Sequence, residues 1–445
     1  MLEELMVISP LDGRYSKYTK DISNYFSEYA YIKYRVFVEI KWFLYLTKLL
    51  DKKITKKEEI IILDIYNNFN LESAKRVKEI EEITKHDVKA IEYYLKEKFE
   101  EYNLSYSELI HFACTSEDIN NVAYSLMIRE YLNKYNMLIT NLMNKLRDLN
   151  EEYRDIPMLS HTHGQPATPT TLGKEFKIYE YRINNILELI KKSKLTSKFS
   201  GAVGNFNAHY VAYPEIDWFN NCKEFIESLG ITFNPLTTQI ESHDNICILF
   251  SYIKVLNNII NDLNNDMWTY ISMNYLKLKT IKNEVGSSVM PHKVNPINFE
   301  NSMANTKMSN GIFDVLISNL SLSKMQRDLS DSSLLRNIGV GFAHSVVAIN
   351  QTLIGLDKIS ANVEVLNKDL ANNPEVLAEA IQTVLRKNGC KNAYEILKEM
   401  TRGKETTIES LRDYIKKLDI NKNDKERLLK LEVKDYIGIA NKLNY

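Results

Sequence analysis

Glycine and proline are scarce in this sequence: 14 and 9 among 445 residues, where average usage would give about 31 and 22. All-β architectures need many turns rich in both, so the shortage argues against them. It also excludes collagen-like and linker-dominated chains. Cysteine is rarer still. Cys114, Cys222, Cys247 and Cys390 lie far apart with no CxxC pair, which argues against a disulfide framework or zinc ribbon and points to a reducing compartment, the cytoplasm. Neither sign of charge is in excess: 57 Lys and Arg stand against 58 Asp and Glu, a net charge of −1. A protein that coats nucleic acid or an anionic membrane by bulk charge is therefore not expected. No run reaches about 18 uncharged apolar residues, the length of a membrane span. The acidic opening MLEELMVISPLDGRY lacks the apolar region of a secretory signal. Walker A, GxGxxG after a strand and HExxH are missing too, so kinase, dehydrogenase and zincin chemistry lack support.

What remains is an ordinary globular composition, 44% hydrophobic and 26% charged. At about 150 residues per domain the length suggests roughly three domains. No glycine or proline interrupts the 143 residues between Gly13 and Pro157, nor the 50 from Leu236 to Val285. Helix interiors tolerate neither residue well, so such gaps are what a helical bundle leaves in its sequence. Ile253, Leu256, Ile260, Leu263, Met267 and Ile271 step by three or four, one apolar stripe of a helix and a core face. Unbroken, the second run would be a rod of about 75 Å. Pro374 reads as a helix start. The expectation is an all-α protein in three regions, 1–111, 112–362 and 363–445, the middle one carrying the long bundle.

The interruptions cluster, and loops inside a helical scaffold are where function tends to sit. One cluster runs from Pro157 to Pro169 and Gly173, a lesser one is Gly201-Ala-Val-Gly204, and a third is Gly286-Ser-Ser-Val-Met-Pro-His-Lys-Val-Asn-Pro296. In the third, the Gly-Ser-Ser backbone can form an anion nest, Ser287 or Ser288 offers a hydroxyl, Lys293 a fixed positive charge and Asn295 an amide donor. That set suits a carboxylate, or the dianion left when a proton leaves the carbon beside one. A plain surface linker is the competing reading. His163, in Thr-His-Gly-Gln-Pro, could hand a proton to a leaving nitrogen, although a lone histidine is more often a satisfied polar group. Thr115 and Ser116, ahead of Glu117-Asp118, read as a helix N-cap with an acidic first turn, and a helix N-terminus also attracts carboxylates.

GSSVMPHKVNP resembles the signature loop of the fumarase/aspartase superfamily, whose members release fumarate from a succinyl-bearing substrate. Six further segments resemble its adenylosuccinate lyase family, in the bacterial-type subgroup: SPLDGRY (9–15), TKHDVKAIEYYLKEK (84–98), HFACTSEDINN (111–121), HTHGQPATPTTLGKE (161–175), TTQIESHD (237–244) and QRDLSDSSLLRN (326–337). The similarity spans nearly the whole chain, with the motifs in order. It implies His163 as general acid and Ser287 as general base, with Ser288 the competing assignment and His161 a bystander. Lys85, His86 and Asp87 would position substrate; many related enzymes carry Asn at the Lys85 position, which puts a side-chain role there in question. Thr115 and Ser116 would bind a carboxylate, Gln239 would offer an amide, and Lys293, Asn295 and Asn301 would come from the signature loop and just beyond it. Arg14 and Tyr15, with Arg327, Ser332, Ser333 and Arg336, would cradle a nucleotide phosphate. Only 13 of the 57 basic side chains are arginine, yet three fall in these segments, as bidentate phosphate recognition favours.

The resemblance implies a three-domain fumarase/aspartase-like fold, a homotetramer with sites shared between subunits, and a C–N lyase without metal or organic cofactor. Its partners would be small molecules: adenylosuccinate and SAICAR, giving AMP, AICAR and fumarate. Two alternatives stand beside it. Another fumarate-releasing lyase, such as argininosuccinate lyase, aspartase or fumarase, would not need the phosphate cradle. A non-catalytic helical scaffold would not need intact Ser287, His163, Lys293 and Asn295.

Overall fold

A computed structural model describes residues 5–279, 289–290, 293–402 and 406–443. Helices dominate, and among the described residues the strands form only three two-stranded pairs. Glu28–Leu49, Lys56–Asn67, Leu71–Thr84, Asp87–Glu101 and Ser116–Glu152 fill the first stretch without glycine or proline. Side chains start most of them. Ser27, Asn70 and His86 accept N–H bonds from Ala30, Ser73 and Lys89, and Thr55 with Glu58 closes a capping box.

The breaks come from residues other than glycine. Twelve non-glycine residues have positive φ among the described residues, including Asp51, Lys85, Asn103, Tyr106, His111 and Ala113. The second stretch is likewise no continuous rod. Its helix is Asp244–Ser272, 29 residues or about 44 Å, entered after His243 (φ +61°) and left before Asn274 (φ +65°). Five of the six stripe positions, Ile253 to Met267, are fully buried as expected, and Ile271 is half-buried. Asn257 and Asn264, seven residues apart, share the helix interior. Asn257 donates to Ser309 Oγ (2.9 Å) and accepts from Ser345 Oγ (2.7 Å). Asn264 donates to Ser302 Oγ (2.9 Å) and Thr352 Oγ1 (3.1 Å). Satisfied amides of this kind fix the register of a core that apolar packing alone leaves loose.

The chain divides into two compact units. The first comprises Met1–Ile139, Ile186–Asn258 and Ala304–Asn350, the second Thr140–Asn185, Ile259–Met303 and Gln351–Tyr445. The first has a core of Ile32, Val36, Phe43, Val77, Ile91, Tyr94 and their neighbours. The second has one built on Leu159, Leu370, Ile381, Leu411, Ile415 and Val433. Pro374 opens a 3-10 turn that leads into Ala378–Lys387, the start expected of it. The segment around His163 is a hairpin rather than an irregular loop: Pro157–Thr162 pairs antiparallel with Gln165–Thr171. His163 (φ +54°) and Gly164 (φ +74°) form its two-residue turn, whose left-handed pair matches the strand twist. Asp244–Ser272 and the stretch Ser330–Lys358 are apolar enough to cross a bilayer by length and composition, but 56% and 78% of their most apolar windows are buried inside the protein, as in core helices.

Candidate active site

Four sequence-distant segments of the first unit meet around an open cavity of about 1040 Å³. Its lining includes ten of the expected residues: Lys85, His86, Asp87, Thr115, Ser116, Gln239, Arg327, Ser332, Ser333 and Arg336. Glu81, Asn120, Met325, Gln326, Asp328 and Leu329 complete it. Arg14 and Tyr15 belong to the same unit but not to this lining; Arg14 is exposed. His163, Lys293, Asn295 and Asn301 belong to the second unit. His163 is exposed at its hairpin tip, Lys293 is exposed, and Asn295 and Asn301 are half-buried. Ser287 and Ser288 lie outside the described residues.

The wall at Thr115 and Ser116 is anchored by a buried ion pair that the sequence reading did not single out. Lys198 and Asp118 are both wholly buried, with Nζ and Oδ1 2.8 Å apart. Lys198 Nζ also donates to the carbonyls of Gly201 (2.7 Å) and Gln239 (3.0 Å). Asp118 accepts N–H bonds from Thr115 (2.8 Å), Ser200 (2.9 Å) and Gly201 (3.1 Å). Every ammonium donor and every strong acceptor position is thereby used, so the pair is compensated where an isolated buried charge would not be. It ties the start of helix Ser116–Glu152 to the Gly201–Gly204 turn and to Gln239. Gly204 (φ +85°) is needed in that turn, because an added Cβ would collide with the Thr237 carbonyl. The acidic first turn was visible as a helix start; its partner Lys198, three residues ahead of Gly201, carried no local signal.

A second buried cation holds the wall at 85–87. Arg35 is buried against the ring of Tyr31, 3.6 Å from its centroid. Its Nε donates to Asn120 Oδ1 (2.8 Å) and its Nη2 to Asp87 Oδ2 (2.7 Å). Burial pushes the Asp87 carboxyl up, but Arg35, the Val88 N–H and Arg336 outweigh it and hold it below the usual carboxylate range. Arg336 donates to both Glu28 Oε2 (2.6 Å) and Asp87 Oδ2 (3.2 Å). Arg327 Nη1 donates to Gln239 Oε1 (3.3 Å), and Gln239 Nε2 to the Ala202 carbonyl (2.9 Å). His86 caps its helix through Nδ1, which accepts from the Lys89 N–H (3.1 Å); that leaves Nε2 as the ring's proton carrier. Lys85 ends the preceding helix at φ +52°, with Nζ on Glu82 (2.9 Å). A left-handed C-cap favours Gly or Asn over a longer side chain, a backbone reason to expect asparagine here. The result is a polar cavity with one helix N-terminus, two arginines and a histidine, suited to a ligand with anionic groups at both ends.

Known proteins resemble this chain over nearly its whole length. Residues 13–310 match the lyase family, and residues 323–437 match the family described as adenylosuccinate lyase C-terminal. The adenylosuccinate lyase of Buchnera aphidicola (subsp. Schizaphis graminum) is 48% identical over 449 residues, covering 99% of this chain and 98% of that protein. That of Legionella pneumophila (strain Corby) is 48% identical over 453 residues and that of Escherichia coli (strain K12) 45% over 449, each with the same coverage. Among solved structures, a fumarate lyase from Mesorhizobium sp. BNC1 superposes with a TM-score of 0.76 at 19% identity, covering 95% of this chain and 96% of that one. The 3-carboxy-cis,cis-muconate lactonizing enzyme of Pseudomonas putida does so at 0.74 and 16%, covering 96% of each. These two carry the all-α fold.

Two outcomes test the local account. Lys198→Met strands the Asp118 carboxylate and should cost about 3–5 kcal/mol in chemical denaturation; a loss near zero would show that the pair anchors nothing. Lys85→Asn should relieve the left-handed cap and gain a few tenths to about 1 kcal/mol. Turnover should stay within about twofold of the parent, because the cap needs no lysine side chain.

Proposed function

The chain belongs to the adenylosuccinate lyase family, and from that premise we infer that its residues carry an anti elimination that splits adenylosuccinate into AMP and fumarate and SAICAR into AICAR and fumarate. The observation that carries the reading is the convergence of ten expected residues on one cavity. Argininosuccinate lyase, aspartase or fumarase chemistry is not favoured, since Arg327, Ser332, Ser333 and Arg336 supply a phosphate cradle for which those reactions have no use.

Ser287 takes the Cβ proton, and the electron pair moves into the neighbouring carboxylate as an aci-dianion. Lys293, Asn295 and the Thr115–Ser116 helix end hold that charge, which exists only in the transition state and the intermediate. The C–N bond then breaks, its electron pair goes to nitrogen, and His163 protonates the departing amine. One step removes a proton and the other delivers one as the C–N bond breaks, with no external oxidant or reductant, so protein groups suffice and no metal or organic cofactor is called for. A serine hydroxyl is a weak base, and we assign its activation to the backbone N–H groups and Lys293 of the signature segment. His86, through Nε2, and Gln239 orient the succinyl group. Asn301 supports the signature segment, and Lys85 and Asp87 shape the wall. Arg14 and Tyr15 join the phosphate contacts.

We further infer a homotetramer with shared sites. Support comes from Ile248 and Val255 and from Met308 and Val315, exposed apolar pairs each seven residues apart on long helices, the spacing of a helix-packing seam. The exposed hairpin tip of His163 suits a site shared in this way. All four cysteines are free thiols, in keeping with a cytoplasmic location.

Absorbance on mixing with adenylosuccinate tests the reaction; no change, with turnover of argininosuccinate or malate instead, would reverse it. Ser287→Ala and His163→Ala should each lose at least about 10²-fold in kcat. Near-parental turnover by either folded variant would remove that residue from its role.

A further inference from the structure

The segment that supplies Gln239 also carries His243, for which the mechanism has no use. His243 is 1% exposed, on a backbone held at φ +61°, a conformation a histidine keeps only when its surroundings impose it. Its ring lies among carboxylates from three elements. Nε2 stands 3.7 Å from Asp331 Oδ2 and Nδ1 3.8 Å from Glu241 Oε2. One side-chain nitrogen or oxygen from each of Glu117, His243 and Asp331 lies within 4.8 Å of the other two. Glu241 is satisfied by Thr196 Oγ1 (2.9 Å), Asn234 Nδ2 (2.8 Å) and the His243 N–H (2.6 Å). Glu117 Oε1, Asp331 Oδ2 and both ring nitrogens, by contrast, are buried with no hydrogen-bond partner among the described residues, a state that calls for a cause.

Each member lies close in sequence to a residue that lines the cavity. Glu117 follows Ser116, His243 is four residues beyond Gln239, and Asp331 precedes Ser332. Two cations face the cluster. Lys198 is committed to Asp118. Arg327 has Nη2 3.6 Å from Glu117 Oε2 and 4.0 Å from Asp331 Oδ1, while its Nη1 reaches Gln239 in the cavity wall. Arg327 is thus shared between the buried carboxylates and the cavity.

We propose that His243 is a positioning residue: as an imidazolium it neutralises Glu117 and Asp331 and leaves Arg327 to meet an anionic group in the cavity, and as a neutral ring it lets both carboxylates draw Arg327 back. The inference rests on the assignment of Arg327 to the nucleotide phosphate. Burial would discharge the ring, but Asp331, Glu117 and Glu241 together hold its pKa above the ordinary histidine value. Burial also pushes Glu117 up to about 7, against the pull of His243 and Arg327. Both directions keep a proton in the cluster near neutrality. Because the raised pKa belongs to the folded form, the arrangement is complete below the ordinary histidine pKa and is lost as pH rises through the raised one.

The test is AMP binding by calorimetry from about pH 7 to about pH 9.5, where the phosphate stays a dianion because its second pKa is about 6. The parent should lose roughly tenfold in affinity toward the alkaline end. His243→Gln should bind at neutral pH as weakly as the parent does at the alkaline end, with a flat profile, and should raise KM for adenylosuccinate far more than it lowers kcat. Glu117→Gln removes one carboxylate that competes for Arg327, and should flatten the alkaline loss while keeping neutral-pH affinity; it decides the matter should His243→Gln not fold. A pH-independent parent, or a Glu117→Gln profile identical to the parent's, would overturn the role of His243 while adenylosuccinate turnover by the same parent sample upheld the reaction. A parent that binds AMP without turning over adenylosuccinate would overturn the reaction assignment instead.

Discussion

The Lys198–Asp118 pair is the constraint on which the cavity depends. Charges taken fully out of water hold only when nearly every donor and acceptor is met, and here the partners are main-chain groups of Thr115, Ser200, Gly201 and Gln239. The need to satisfy two buried charges therefore fixes the relative positions of a helix start, a glycine turn and an extended segment, the three pieces that present Thr115, Ser116 and Gln239. A hydrophobic contact of equal strength would not do this, because it has no preferred direction. The cost of burying charge is what makes the geometry specific.

Around that anchor the cavity keeps its arginines paired before any ligand arrives. Arg336 lies on Glu28 and Asp87, and Arg327 bridges Glu117 and Gln239. Arg35, buried beneath Asp87, keeps that carboxylate ionised and in place. A dianionic phosphate can compete for guanidinium groups held this way, because it offers bidentate oxygens and two charges. In the reaction we propose, the transient negative charge would be met there by a helix N-terminus, amides and cations.

Much of this was legible in the sequence, for stated reasons. Long gaps between glycine and proline marked helical stretches, and the stripe from Ile253 to Met267 marked a core face. Motif resemblance brought together residues from four segments that no periodicity could connect. The missed helix boundaries share one cause, in that the chain places residues other than glycine in the left-handed region. Lys85 ends a helix there, and His243 and Asn274 flank the helix Asp244–Ser272, so a rule that reads breaks only from glycine and proline lets that helix run the whole stretch from Leu236 to Val285. The His163 segment was read as a loop because proline and glycine crowd it, yet two-residue hairpins need a left-handed pair, and His163-Gly164 supplies it. Lys198 and Arg35 were missed because a buried cation looks like a surface cation until its partner's position is known.

The cavity anchored by Lys198 and Asp118 is the place we assign to the nucleotide. A crystal structure of the Ser287→Ala protein soaked with adenylosuccinate tests it most directly. The phosphate should lie against Arg327 and Arg336, with a succinyl carboxylate at the N-terminus of the Ser116 helix. Nucleotide density elsewhere, with this cavity filled only by solvent, would contradict it.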